Sequence, residues 1–376
     1  MAQDLKIQGG ERNRNIFLGL GLFLGAIVCT LLAAEIGLRI LTQFPVSYRS
    51  NRIADPDFGY RLSSRLGDVD ENGFRNSNSM GDIVILAVGD SHTFGVNVSS
   101  EHAWPAALAS ETGLKIYNTG VGSYGIATYH AILSKLLASH KSSTAIVALF
   151  PANDFQVRLS FCDIDFESPF WTEQIKRLGL NFSSLKPLCK GEDNVNKSWY
   201  KWIKANVAIT SAVETLILDP LKAAKRSIAL PGNLPNIAMN ARDLNSEELQ
   251  GEAVLLRESA KIFTDWATVF NGRIAVLVIP SKERVFYEIM KDRNVLHSAP
   301  ADLVTAVNRE VAVEEFVYAE ATRNLIPIVS ALPELKDLVI HSADAYPTGD
   351  SHPYEDGYIA YTQAAKRALA MLKAAQ

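Results

Sequence analysis

Cysteine is scarce here, with three residues in a chain of 376, at positions 29, 162 and 189. A chain of this length buries a core unaided and needs no framework of bridges. Basic surplus is also missing. The formal net charge is -4 and no long Lys/Arg run occurs, which argues against a polyanion-binding surface and makes nucleic acid an unexpected partner. Internal repeats and low-complexity tracts are lacking too, so no repeat architecture is expected. His102, His130, His140, His297 and His341 have no partners at metal-ligand spacing, so neither a metal nor another cofactor is expected.

What is present starts with an uncharged run of nineteen residues, Ile16 to Ala34. As a helix it would reach about 28 Å, close to the hydrocarbon thickness of a bilayer. Helical pattern continues through Leu41, with Glu35 and Arg39 spaced to pair along one face. Residues 16–41 are therefore expected to be a membrane anchor, with 1–15 as a cytoplasmic tail. The competing expectation is a cleaved signal peptide, since Lys6, Arg12 and Arg14 form a basic leader. Nineteen apolar residues exceed the usual signal core, and Leu-Ala-Ala before Glu35 is not an A-x-A site, which favours the anchor. Basic residues flank both ends (Arg39, Arg49 and Arg52 follow), so charge alone scarcely orients it. The anchor reading puts the chain in the cell (inner) membrane as a single-pass protein with its main domain extracytoplasmic.

Residues 42–82 are polar and broken by Pro45 and Pro56, as expected for a juxtamembrane connector that gains structure near Gly73-Phe74-Arg75. An α/β pattern occupies 83–376. Ile83–Val88 is a β-branched apolar run of the kind buried on both faces of a sheet. Further strands are expected at Lys115–Asn118, Thr144–Phe150, Arg273–Pro280 and Leu325–Val329, with helices at 104–111, 127–140 and 357–374. Alternation of this kind implies a three-layer α/β/α sandwich with a mostly parallel central sheet. The stretch 155–250 is too long for a simple crossover and is expected to be a partly helical cap. Within it, Cys162 and Cys189 are either a bridge, as an oxidising compartment would preserve, or two buried thiols; Cys29 lies in the apolar run.

In parallel α/β sheets, ligands bind beyond the carboxyl ends of the strands. Three polar clusters fall there: Gly89-Asp90-Ser91-His92, Asn118-Thr119-Gly120-Val121-Gly122-Ser123 and Pro151-Ala152-Asn153-Asp154. A fourth, Asp350-Ser351-His352-Pro353, precedes the last helix. Together they offer a hydroxyl nucleophile, amide donors, and an imidazole with a nearby acid.

These clusters resemble blocks I, II, III and V of the SGNH (GDSL-like) hydrolases, in the family's order, over residues 83–376 with the insertion outside. The resemblance implies Ser91 as nucleophile, His352 as general base and Asp350 as its orienting acid. It implies an oxyanion hole from the backbone N–H groups of Ser91 and Ser123 and the side-chain amide of Asn153. Two positions depart from the family pattern. Ser123 stands where block II has glycine, which is harmless only if φ need not be positive. Asp350 and His352 are two apart rather than three, a spacing similar to that of alginate O-acetylation proteins related to this family.

Gly122, His92, Asp154 and Lys282 are candidate substrate contacts, with blander alternatives: packing for His92, helix capping for Asp154, a solvated head for Lys282. Asp70-Glu71-Asn72-Gly73-Phe74-Arg75 resembles a segment ahead of block I in bacterial members, and Arg75 there suits a structural ion pair. The expected function is a membrane-anchored serine esterase or O-acyltransferase acting on acyl, chiefly acetyl, esters of a carbohydrate, with a membrane-bound acyl-donor partner in the transferase case. Two alternatives stand beside it. One is a lipase or thioesterase whose acyl pocket is lined by Phe161, Phe166, Phe170, Trp171, Trp199 and Trp202. The other is a catalytically lapsed binding or assembly protein.

Overall fold

The computed structural model describes residues 19–37, 52–64, 67–76, 84–140, 143–189, 227–231, 234–239, 244–342, 345–347 and 349–375, with isolated positions between 213 and 224. The chain divides into two units, Met1–Ser50 with Asn194–Leu218, and Asn51–Asp193 with Asp219–Gln376. In the first, the apolar run forms helix α1, Gly19–Gly37, with a mean hydropathy of 2.1 in its most apolar window and its side chains exposed. It is long and apolar enough to span a bilayer, and a signal sequence has the same properties. The expected extensions at 16–18 and 38–41 lie outside the described residues.

The second unit opens with a hairpin, β1 (Arg52–Asp55) and β2 (Gly59–Leu62), paired Arg52 to Leu62 through Asp55 to Gly59. Its turn is closed by Asp55, whose Oδ1 accepts from the N–H groups of Asp57 and Phe58. The connector expectation for 42–82 therefore needs correcting over 52–64 and 67–76, where the chain is folded into this unit. The central sheet follows with β3 (Ile85–Val88), β4 (Ile116–Asn118), β5 (Thr144–Leu149), then β8 (Ile274–Val278) and β9 (Ile328–Ser330), all parallel, in the order β4-β3-β5-β8-β9. Between β5 and β8, a small antiparallel pair joins β6 (Ser227–Ile228) and β7 (Ile237–Ala238).

Helices are α2 (Ser91–Phe94), α3 (Trp104–Thr112), α4 (Ile126–Ile132, continuing as a π-turn over Leu133–Leu137), α5 (Val157–Ser160), α6 (Pro169–Leu178), α7 (Ser246–Phe270), α8 (Lys282–Asp292), α9 (Ala301–Arg323), α10 (Leu332–His341) and α11 (Glu355–Ala375). Side chains alternate across a strand, so Ile85, Ala87, Ile146, Ala148, Ala275 and Leu277 share one face and pack with Trp104, Phe286, Leu335 and Tyr361. Their neighbours Leu86, Val88, Val147, Leu149, Val276 and Val278 are equally buried. Helices therefore flank a sheet covered on both faces, which is why its strands read as continuous apolar runs.

The strand order places the crevice for a ligand. The chain leaves β3 toward β4 on one side and leaves β5 toward β8 on the other. The two outgoing connections diverge, and the gap opens at the carboxyl ends of β3 and β5. Ser91 follows β3 and Asn153 follows β5.

Between residues 161 and 189 the insertion is pinned at several points. Trp171 Nε1 donates to Asp57 O at 2.8 Å, Arg177 pairs with Asp265 on α7, and a disulfide joins Cys162 to Cys189 across Cα atoms 5.3 Å apart. Phe161, Phe166, Trp171 and Phe182 pack on one another, with ring centroids 4.1–5.1 Å apart for the contacting pairs. Near the expected end of the insertion, α7 begins at Ser246 under a capping box from Asn245 and Glu248.

Candidate active site

The site is built on a short turn. β3 ends at Val88, and Gly89 then passes so close to its surroundings that a Cβ there would lie 2.1 Å from Thr93 Oγ1. Asp90, 1% exposed, caps α2 by accepting the His92 N–H at 2.9 Å. Ser91 thus becomes the first residue of α2. Gly120 lets the neighbouring loop approach this helix, since a Cβ there would lie 2.4 Å from Phe94 N. Asn118 closes the contact by donating from Nδ2 to Thr93 O at 3.0 Å and accepting the Gly120 N–H at 2.8 Å.

His352 Nε2 lies 2.7 Å from Ser91 Oγ, and its Nδ1 lies 2.6 Å from Asp350 Oδ1. With Asp350 accepting the Nδ1 proton, Nε2 keeps a lone pair for the serine proton. The two-residue spacing is therefore compatible with the acid reaching the ring: Asp350 Oδ1 also accepts the His352 N–H at 3.1 Å, folding the segment back on itself. Burial would raise the Asp350 carboxyl, but hydrogen bonds from His352 and its charge outweigh this and hold the pKa below the usual carboxylate range. Asp90 is pushed the other way, raised by burial, although the His92 N–H, His352 and Ser91 oppose the shift. Ser91 Oγ has a second acceptor there, Asp90 Oδ2 at 3.2 Å.

Ser123 sits at φ 69°, in the left-handed region, so the departure from glycine does occur where φ is positive. That conformation costs an L-residue on the order of 1–2 kcal/mol. Its N–H donates to no described backbone carbonyl. Asn153 lies half-buried on the turn after β5, with its N–H bonded to Phe150 O at 3.0 Å and its side-chain amide bonded to no described residue. Each therefore keeps a donor that no described residue uses.

Four candidate substrate contacts turn out to be framework. The His92 ring is 1% exposed, hydrogen-bonds Tyr361 Oη at 3.0 Å and lies between Phe150 and His352 at centroid distances of 4.2 and 4.5 Å. Burial and the neighbouring His352 hold its pKa well below 6.5, so it is neutral. Asp154 is fully buried, accepting Phe150 N–H and Tyr129 Oη–H at 2.7 and 3.0 Å, which replaces both the substrate and the helix-capping expectation. Lys282 is also buried and donates to the Asp350 carbonyl at 2.8 Å, so its ammonium holds the acid-bearing loop. Gly122 is buried with its carbonyl turned to the β1–β2 hairpin, accepting from Tyr60 Oη and, at 3.2 Å, from Arg52 Nη2.

Several contributors carry no local signal in the sequence. Asn97, at φ 70°, donates from Nδ2 to Asp350 Oδ2 at 3.1 Å and to His352 O at 3.2 Å. Arg309 forks onto Glu252 and donates to Ala152 O at 3.3 Å, bracing the residue before Asn153. Arg75 pairs with Asp68 at 2.6 Å, as a structural ion pair should, but also donates to Phe94 O, Gly95 O and Val98 O at 3.2, 2.7 and 3.0 Å. It clamps the end of the helix that carries Ser91. Among the described residues, no group of three or more His, Cys, Asp or Glu is arranged to hold a metal ion.

No family model matches the chain, and no curated protein matches it. Among solved structures, the chain is similar to a G-D-S-L family lipolytic protein from Desulfitobacterium hafniense DCB-2, at 12% identity and a TM-score of 0.34, over 76% of this chain and 98% of that one. It is similar also to a member of the lipolytic protein G-D-S-L family from Veillonella parvula DSM 2008, at 11% identity and a TM-score of 0.37, over 77% and 98%.

Proposed function

We propose that this chain is a serine esterase or O-acyltransferase that works through an acyl-enzyme on Ser91. Support comes above all from one contact, His352 Nε2 at 2.7 Å from Ser91 Oγ, with Asp350 on the far side of the ring at 2.6 Å. A serine hydroxyl is a poor nucleophile near neutral pH, so a base within hydrogen-bond reach has to remove its proton.

Ser91 Oγ attacks the ester carbonyl carbon while its proton passes to His352 Nε2. The carbonyl π pair moves onto oxygen, faced by the N–H groups of Ser91 and Ser123 and by the Asn153 amide. Collapse of the tetrahedral intermediate expels the alcohol, which takes the proton from His352. Water or an acceptor hydroxyl then repeats the cycle on acyl-Ser91, with His352 again the base. Removing one oxyanion donor typically costs about 2.7–4 kcal/mol of barrier.

The substrate we propose is an acetyl ester of an envelope carbohydrate, with α1 as anchor and the domain extracytoplasmic. The Cys162–Cys189 disulfide is in keeping with an oxidising compartment. A long-chain lipase gains no support from the aromatic insertion, because Phe161, Phe166, Trp171 and Phe182 fill one another's faces. Trp199 and Trp202 lie outside the described residues. The test is cleavage of p-nitrophenyl acetate by purified protein and by Ser91→Ala. Hydrolysis that persists in Ser91→Ala removes the assignment, and intact-protein mass after incubation with acyl donors and glycan acceptors separates hydrolase from transferase.

A further inference from the structure

We infer that the β1–β2 hairpin is a positioning device for the oxyanion donor, with Tyr60 and Arg52 holding the Gly122–Ser123 peptide so that the Ser123 N–H faces the crevice. This rests on the esterase reading above and names what sets that site's geometry.

A peptide unit is planar, and no cis bond occurs among the described residues. The Gly122 C=O and the Ser123 N–H belong to one such unit and point in opposite directions. Whatever grips the carbonyl therefore aims the amide. The carbonyl is gripped twice, by Tyr60 Oη and by Arg52 Nη2 at 3.2 Å. Arg52 Nη2 also reaches Ser123 Oγ at 3.5 Å, so it contacts the residues on both sides of the unit.

The hairpin residues are themselves held. The Arg52 guanidinium lies 3.7 Å over the Tyr60 ring, and its Nη1 lies 3.7 Å from Asp163. Tyr60 is 5% exposed, and its carbonyl accepts from Tyr124 Oη, one residue beyond Ser123. The grip is thus reciprocal: hairpin to loop through Gly122, loop to hairpin through Tyr124. It also explains how a serine is kept at φ 69°. Ser123 takes the strained conformation because two hydrogen bonds fix the peptide ahead of it. Donors on a carbonyl further polarise the amide on the same unit, which strengthens the bond that N–H makes to a developing oxyanion.

The experiment uses the full chain and three variants, Tyr60→Phe, Arg52→Met and Arg52→Lys. Tyr60→Phe deletes a single hydroxyl and keeps the ring beneath Arg52. Turnover of p-nitrophenyl acetate, the rate of Ser91 labelling by a fluorophosphonate, and the thermal midpoint are read for each. The expected result is a fall of about tenfold in kcat for Tyr60→Phe and for Arg52→Met, with KM within about twofold, because the lost interaction acts in the transition state. The labelling rate should fall by the same factor, and Arg52→Lys should recover part of it. A merely structural hairpin would shift the thermal midpoint and the active fraction without slowing labelling of the folded enzyme. Labelling at the wild-type rate in folded Tyr60→Phe and Arg52→Met, or a change in KM alone, overturns the inference and leaves the esterase reading intact. A wild-type chain that neither hydrolyses the ester nor takes the label overturns both.

Discussion

The ring of His92 lies against that of His352 with centroids 4.5 Å apart and planes 37° from parallel. One imidazole of the pair is buried and neutral; the other is the proposed base. A histidine whose folded pKa is below its unfolded value binds fewer protons when folded, so its contribution is intact above about pH 6.5 and is lost as pH falls below that. His92→Phe keeps a flat ring between Phe150 and His352 and removes this titration. Unfolding free energy measured in denaturant between pH 7 and 5 should fall less steeply in the variant, by up to about 1.4 kcal/mol per pH unit. Parallel curves for variant and wild type would show that folding does not depress the His92 pKa.

Asp350→Asn should be severe. The carboxylate accepts from Nδ1 and thereby fixes which ring nitrogen faces Ser91. An asparagine amide can turn its NH2 to Nδ1 and select the wrong tautomer, a change that costs a comparable triad about 10⁴ in kcat. A drop of about 10³ or more, with little change in KM, is the expected result from steady-state kinetics. Because Asp350 stays ionised well below neutrality, the acid limb of kcat/KM in the wild type should involve a single proton.

Arg75→Lys should not rescue Arg75→Ala. The guanidinium spans three carbonyls and one carboxylate at once, a geometry an ammonium cannot reproduce. Both variants leave buried acceptors around the end of α2, and each should lose about 2–4 kcal/mol of stability in chemical denaturation. Turnover should fall in both, since Ser91 rides on that helix. Wild-type stability in Arg75→Lys would show that charge alone suffices.

The disulfide closes a separation of 27 positions, for which loop-closure entropy gives about 3–4 kcal/mol. The double variant Cys162→Ser/Cys189→Ser should lose about that much in denaturant unfolding. Thiol titration of denatured wild type should rise when reductant is added. Equal titration with and without reductant would rule out the bridge.

Much of the sheet is legible in the sequence because its strands are covered on both faces. Ile85–Val88 and Ile274–Val278 are runs without a single exposed residue, and burial of that kind leaves an unbroken apolar signature. Ser91, Asn153 and His352 are legible for a different reason: each follows or precedes a strong element at the side of the sheet where ligands bind. Arg52 and Tyr60 are invisible by the same logic. Their partners stand 70 and 62 positions away, and the strands that carry them are short, partly exposed and set in a polar stretch. Lys282 and Asp154 mislead because a charged residue at a strand end usually faces solvent, whereas here a carbonyl, an N–H and a phenol compensate their burial.

Ser91 and His352, the proposed nucleophile and base, are separated by 261 positions of chain. At ribosomal rates of about 5–20 residues per second, roughly 10–50 s pass between synthesis of the two. Throughout that interval the emerging polypeptide carries the Ser91 hydroxyl without the His352 imidazole that its proposed activation needs. On the proposed reading, the pair is complete only once the last segment has been made and has folded against α2.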